Sequence, residues 1–204
     1  MGVKARFKRH LVENRWQYLI VVLLFLLGIL LGGFKANQLD GAVKGHLSQL
    51  VDHFLQQGAE GSLNGPGLFL HAFLNQARTV LLVWFLGMTV IGLPLIMAVV
   101  FIRGFSLGFT IGFLFQDRAG AGILISLLSV VPQNLVYILF LFACSVMAMN
   151  FSLYLVRYRS TSAVPLGTAL MTYSLVMFLC LLAVLGGALI EAYLCPWLLG
   201  LVLS

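Results

Sequence analysis

Charge is what this chain has least of. Only 9% of its 204 residues are Asp, Glu, Lys or Arg, where soluble domains carry roughly 25%. That shortage excludes an ordinary globular domain. Cysteine is scarce as well, and Cys144, Cys180 and Cys195 form no CxxC pair. A disulfide framework, a zinc knuckle and a redox motif are therefore not expected. No HExxH or other tight ligand spacing is present either, so His46, Asp52, His53, Glu60 and His71 read as scattered polar residues on a wet face rather than as a metal site. No cofactor is expected.

What is there is apolar. Hydrophobic residues make up 61% of the chain, its mean hydropathy is +1.06, and several runs exceed the ~20 apolar residues that cross a bilayer. The fold class expected is all-α: a polytopic membrane helix bundle of about five spans with additional amphipathic or re-entrant helices. The spans occupy most of the length, so one integral membrane domain over residues 1–204 is expected. The net charge of +6 then reports orientation in the lipid bilayer, and no nucleic acid partner is implied.

Residues 1–15, MGVKARFKRHLVENR, form a basic leader. The apolar run that follows, Trp16 to Phe34, is longer than a signal-peptide core and lacks a small-x-small cleavage site, which predicts an uncleaved signal-anchor span. Gly2 does not mark myristoylation, because Arg6 stands where Ser or Thr is required. Residues 35–76 are the most polar stretch. Leu39, Val43, Leu47, Leu50, Val51, Phe54 and Leu55 recur there at helical spacing, with Asp40, Lys44, Ser48, Asp52 and Gln56 largely opposite, which predicts an amphipathic helix. A second span is expected over Thr79 to Ile102, with Arg78 and Arg103 at its two boundaries and a kink at Pro94. Later spans are expected up to Val156 and from Thr168 to Ile190, and residues 191–204 make an apolar tail.

With the leader in the cytoplasm and five crossings, Lys4, Arg6, Lys8, Arg9, Arg15, Arg103, Arg157 and Arg159 fall inside, while Lys35, Lys44, Arg78 and Arg118 fall outside. The positive-inside rule accepts that arrangement. The region from Gly104 to Val156 is longer than two spans need. A short surface or re-entrant helix ending at Pro132-Gln133-Asn134 is expected to take up the excess. Proline cannot donate a backbone hydrogen bond, so such a break must face protein or water. Gln133 and Asn134 are suited to cap it.

Two motifs invite chemistry. Gly104-Phe105-Ser106-Leu107-Gly108 fits the GxSxG pattern of a serine nucleophile, but that motif needs a strand-to-helix turn and a histidine in reach. Gly104, Gly108 and Gly112 equally form GxxxGxxxG, the spacing that lets membrane helices approach closely, and packing is the better account. Pro132-Gln133-Asn134 is polar at membrane depth and so a candidate transport element; helix-end chemistry is the plainer reading. A transporter or channel subunit with discontinuous helices at Pro94 and Pro132 is the alternative function; against it, no inverted repeat and no charge at mid-membrane are expected.

The order of segments, with LLGILLGGFKANQL, VIGLPLIMAVVFIRGFSLGFTIGFL and LLSVVPQNLVYILFLF, resembles the stage II sporulation protein M family of endospore-forming bacteria. The resemblance covers nearly the whole chain. Many relatives in the wider family carry His after the proline of the third segment. Gln133 stands there, so no role of such a histidine transfers. The resemblance implies a non-enzymatic scaffold in the cell membrane. It would anchor the peptidoglycan hydrolases, stage II sporulation proteins D and P, at the mother-cell septal membrane during forespore engulfment. Asp40, Asp52 and Glu60, on the outer segment, are then candidate partner-binding residues. A homo-oligomer stays open.

Overall fold

The computed structural model of the chain describes residues 12–59, 65–125, 131–161 and 165–189. These form six helices, with no strand among the described residues: α1 (Arg15–Asn37), α2 (Gly41–Ala59), α3 (Gly65–Gly87), α4 (Gly92–Ile125), α5 (Val131–Thr161) and α6 (Leu166–Leu189). The chain is an all-helical, polytopic membrane bundle. Four helices are long and apolar enough to cross a membrane: α1, α4 over Gly92–Asp117, α5 over Tyr137–Arg157, and α6 over Leu166–Gly186. Helix α3 has the same 23-residue length as α1 and runs beside α4 at the same depth. A lipid-facing exterior explains why Leu19, Leu23, Leu30, Phe85, Ile102, Leu139, Leu175 and Phe178 stay exposed, an apolar display that water would not tolerate.

Helix α5 is the centre, packed against α1, α3, α4 and α6. Its inward residues Leu141, Cys144, Ser145, Val146 and Ala148 are fully buried. Around it sit Val21 and Phe25 of α1, Val80 and Val83 of α3, Ile96 and Val100 of α4, and Met177 and Val184 of α6. Aromatic contacts set two of these interfaces. Phe25 meets Phe142 edge-on at 5.2 Å, within the usual range for favourable ring pairs, and Phe151 stacks flat on Tyr173 at 4.3 Å. The Tyr173 hydroxyl donates to the Trp84 carbonyl at 3.0 Å, which ties α6 to α3.

The closest interface is α1 on α4. Val21, Phe25, Gly28, Gly32 and Ala36 form the buried stripe of α1, a spacing of three and four that follows the helical period. A Cβ added to Gly28 would lie 2.5 Å from the Phe101 carbonyl oxygen and 2.8 Å from the Phe105 nitrogen, and one on Gly112 would lie 2.9 Å from the Gly33 Cα. Gly104 lies against Phe25 and Gly108 against Ile29, so the two helices run parallel, backbone on backbone. Only glycine permits that approach.

Two sequence expectations are corrected. The run Thr79 to Ile102 is not one span: α3 ends at Gly87, and Met88 to Ile91 turn the chain back into α4. Thr89 Oγ1 donates to the Leu86 carbonyl at 2.8 Å, and the Gly92 N–H reaches the Thr89 carbonyl at 3.1 Å. Pro94 therefore falls in the first turn of α4 and makes no kink, since a first-turn residue has no intrahelical N–H bond to lose. Among the described residues no separate short helix follows Gly104. Helix α4 continues unbroken through Asp117 to Ile125, about 51 Å at 1.5 Å per residue, so it projects past the bilayer. Pro132 opens α5 in the same first-turn position; residues 126–130 and the side chain of Gln133 lie outside the described residues.

Several contacts fix which helix ends lie together. Asn150 of α5 donates to Asn14 Oδ1 at 2.9 Å and accepts from Gln17 Nε2 at 2.7 Å. Ser152 donates to the Thr89 carbonyl at 2.9 Å. The start of α1, the Met88–Ile91 turn and the end of α5 thus share one end of the bundle, here the leader end. Arg103 leaves the inner boundary and Arg78 the outer one. Among the described residues Arg15, Arg157 and Arg159 lie toward the leader end and Lys35, Lys44 and Arg118 toward the far end, so, the two displaced arginines excepted, the arrangement expected from the positive-inside rule keeps its two sides.

Candidate functional site

The turn at Met88–Ile91 brings two arginines together. Arg78 precedes it by roughly ten residues and Arg103 follows it by roughly twelve, so each lies ~15–18 Å from the leader end at 1.5 Å per residue. That is close to the middle of a hydrocarbon core ~30 Å thick. The α1 contact agrees: Gly104, the residue after Arg103, touches Phe25, near the midpoint of Arg15–Asn37. Arg78 and Arg103 both line one cavity of about 370 Å³, with Asn75, Thr79, Leu82, Val99, Ile102 and Ser106. Arg103 and Ser106 also line a neighbouring cavity of about 220 Å³, with Thr110, Asn134 and Tyr137 on its wall.

Arg103 is half-buried and held by α3 and α5. Its guanidinium donates to the Asn75 carbonyl at 3.2 Å and to Thr79 Oγ1. It also sits 5.5 Å from the Tyr137 ring centroid, within cation–π range. Thr79, itself buried, donates back to the Asn75 carbonyl at 3.4 Å. Arg78, Asn75, Ser106 and Thr110 are exposed on the bundle's flank. The groove thus opens sideways at mid-depth, lined by hydrogen-bond donors and two fixed positive charges.

The second polar feature is α2, at the far end. Lys44, Leu47, Ser48, Val51 and Asp52 are half-buried, and Asp40, Val43, His46, Leu50 and His53 are exposed, the two-sided pattern of an amphipathic helix. Ser48 Oγ donates to Asp117 Oδ2 at 3.2 Å, which fastens α2 to α4 at the far boundary of its candidate span.

The sequence-derived candidates fall in different places. Asp40 immediately precedes α2, its carbonyl accepting from the Lys44 N–H at 2.9 Å, and Asp52 lies on the half-buried face of α2. Glu60, the leader through Leu11 and the tail 191–204 lie outside the described residues. Gly104, Gly108 and Gly112 line the α1–α4 interface. Asn134 lines the smaller cavity. Ser106 is in mid-helix rather than on a strand-to-helix turn, so the nucleophile-elbow context is missing. The arginine pair, with Asn75, Thr79 and Tyr137, was not anticipated. The available signal was the Gly87, Gly92 and Pro94 cluster, which marks a turn equidistant from both arginines.

Comparison with curated proteins and with solved structures returns no match. A family model described as stage II sporulation protein M matches residues 21–196, from the first span through the last, and the chain belongs to that family.

Proposed function

We propose that this sporulation-related membrane protein is a non-enzymatic scaffold. It anchors peptidoglycan-degrading enzymes, stage II sporulation proteins D and P, at the mother-cell septal membrane during engulfment. The observation that carries the proposal is α2. It stands outside the lipid-embedded bundle, is fastened by Ser48 to Asp117, and leaves Asp40, Val43 and Leu50 exposed on the side where wall-degrading enzymes work. The test is co-purification from sporulating membranes in mild detergent with a tag on this chain. Recovery of both hydrolases supports the scaffold. Their absence, with both present in the input, overturns it.

A second reading, a transporter or channel subunit, is favoured by the arginine groove, which brings charge to a depth where none is expected from the sequence. Its discontinuous helices do not stand: Pro94 and Pro132 both lie in first turns of continuous helices. Solute flux in proteoliposomes separates it from the scaffold.

A further inference from the structure

The two arginines of the groove have no acidic counterpart among the described residues of the surrounding helices. No Asp or Glu occurs between Glu60 and Asp117, nor between Asp117 and Glu191, so α3, α5 and α6 contain no acid at all. The acid nearest the arginines along α4 is Asp117, ~21 Å further up the helix at 1.5 Å per residue, and it is engaged by Ser48 at the far end. Helix α1 contains none. An arginine placed at membrane depth is costly and needs polar or charged partners. Arg103 recovers part of this through neutral acceptors, the Asn75 carbonyl and Thr79 Oγ1, and through the Tyr137 ring. Among the described residues no acid is shown against Arg78, which lines the same cavity.

We propose that this groove is a binding site for a phosphate-class oxyanion, entered from the side of the bundle. Four features select that chemistry. The lining is rich in donors: two guanidiniums, which can donate only, with the Ser106 hydroxyl and the Asn75 amide beside them. Two arginines approaching from separate helices suit a tetrahedral anion with several acceptor oxygens, whereas a single carboxylate is satisfied by one bidentate arginine. At about 370 Å³ the cavity is far larger than the ~10–15 Å³ that admits one water. Its rim residues Leu82 and Ile102 are exposed and apolar, so the opening faces the hydrocarbon, which suits a phosphate carried on a lipid. This site does not depend on the scaffold role.

The experiment uses the purified full-length chain in detergent, with lipid retention read by native mass spectrometry and inorganic phosphate uptake read by equilibrium dialysis. Phosphatidylglycerol is the lipid probe and diacylglycerol the phosphate-free control. Wild type is expected to retain phosphatidylglycerol at least tenfold more than diacylglycerol, and Arg78→Gln and Arg103→Gln to lose that preference. Inorganic phosphate binding, lost in the same variants without phosphatidylglycerol retention, identifies a soluble anion as the source and also supports the site. Arg103→Gln removes bonds that join α3 to α4 and can unfold the chain. Arg78→Gln changes an exposed side chain and keeps the test decisive. Binding of neither probe, or equal binding by wild type and a folded Arg78→Gln, overturns the proposal. So does capture, through these arginines, of a partner protein's acidic span in place of any phosphate.

Discussion

Replacing Gly28 by alanine adds one methyl group where the structure leaves no room for it. Its Cβ would meet the Phe101 carbonyl oxygen at 2.5 Å, the Phe105 nitrogen at 2.8 Å and the Gly104 carbonyl carbon at 3.2 Å, all backbone atoms of α4, where ordinary contact begins at 3.4 Å. A flexible side chain could swing away, but a helix backbone cannot, so α1 and α4 must part by about 0.9 Å at that point, the difference between 3.4 and 2.5 Å. Overpacking of this kind costs about 1–3 kcal/mol. Separation also weakens the Cα–H···O contacts that close helix approach provides, about 0.5–1 kcal/mol each. Alanine recovers up to ~1 kcal/mol through helix propensity, which a control must cancel. Gly33→Ala is that control: it lies on the same helix, but its Cβ would meet only the Gly108 carbonyl oxygen, at 3.6 Å. The difference between the two variants isolates the clash at roughly 1–3 kcal/mol. At about 2–4 °C per kcal/mol for a chain of this size, Gly28→Ala should melt on the order of 5 °C below Gly33→Ala in detergent, followed by fluorescence-detected size exclusion. Equal melting temperatures would refute the backbone-on-backbone interface.

Thr79→Val keeps the shape of the side chain but removes the hydroxyl that accepts from Arg103; the loss of a hydrogen bond to a charged group should lower stability by about 1.5–3 kcal/mol, read as a lower melting temperature. Cysteine labelling checks the turn: Val90, 61% exposed at the tip of Met88–Ile91, should react as Val90→Cys from the leader side only. Val43→Cys on α2 should react from the opposite side only, and protection of Val90→Cys from both sides would restore a single span through that point. Charge reversal at Asp52 together with Glu60 should reduce hydrolase recovery in co-purification without lowering the amount of this protein in the membrane.

The two halves of the site differed in how well the sequence announced them. The α1–α4 interface was readable on its α4 side because GxxxGxxxG is a spacing, and a regular helix turns spacing directly into a shared face. The matching stripe on α1, Gly28 and Gly32, was quoted in the segment LLGILLGGF but not identified as its partner, since nothing in a sequence states which helices adjoin. The turn at Met88–Ile91 was hidden for a different reason. Hydropathy is averaged over about 19 residues, and a turn built of Met, Thr, Val and Ile does not lower that average. Gly92-Leu93-Pro94 reads as a bend inside a span, whereas the chain reverses just before it. That displacement moved Arg78 and Arg103 on paper from mid-depth to the two surfaces. The charged groove was therefore lost through one misplaced turn, although every residue that forms it was in plain view.

The glycine interface also bears on how the chain enters the membrane. Helix α1 emerges from the ribosome first, but the surface that fits it, on α4, comes roughly 75 residues later, several seconds at ~5–20 residues per second. Until then Gly28 and Gly32 line a bare groove turned toward lipid. Helices α3 and α4 each bring an arginine to mid-depth, so neither is cheap to insert alone. Joined by their short turn they form a hairpin, with Arg103 bonded across it to Thr79 and to the Asn75 carbonyl, and entry as a pair would keep those bonds. The α1 groove is then a waiting receptor for that hairpin, and parallel docking along the glycines draws a poorly inserting pair into place. Assembly order is thus written into the interface: the most apolar early helix holds the vacancy that the charged hairpin completes.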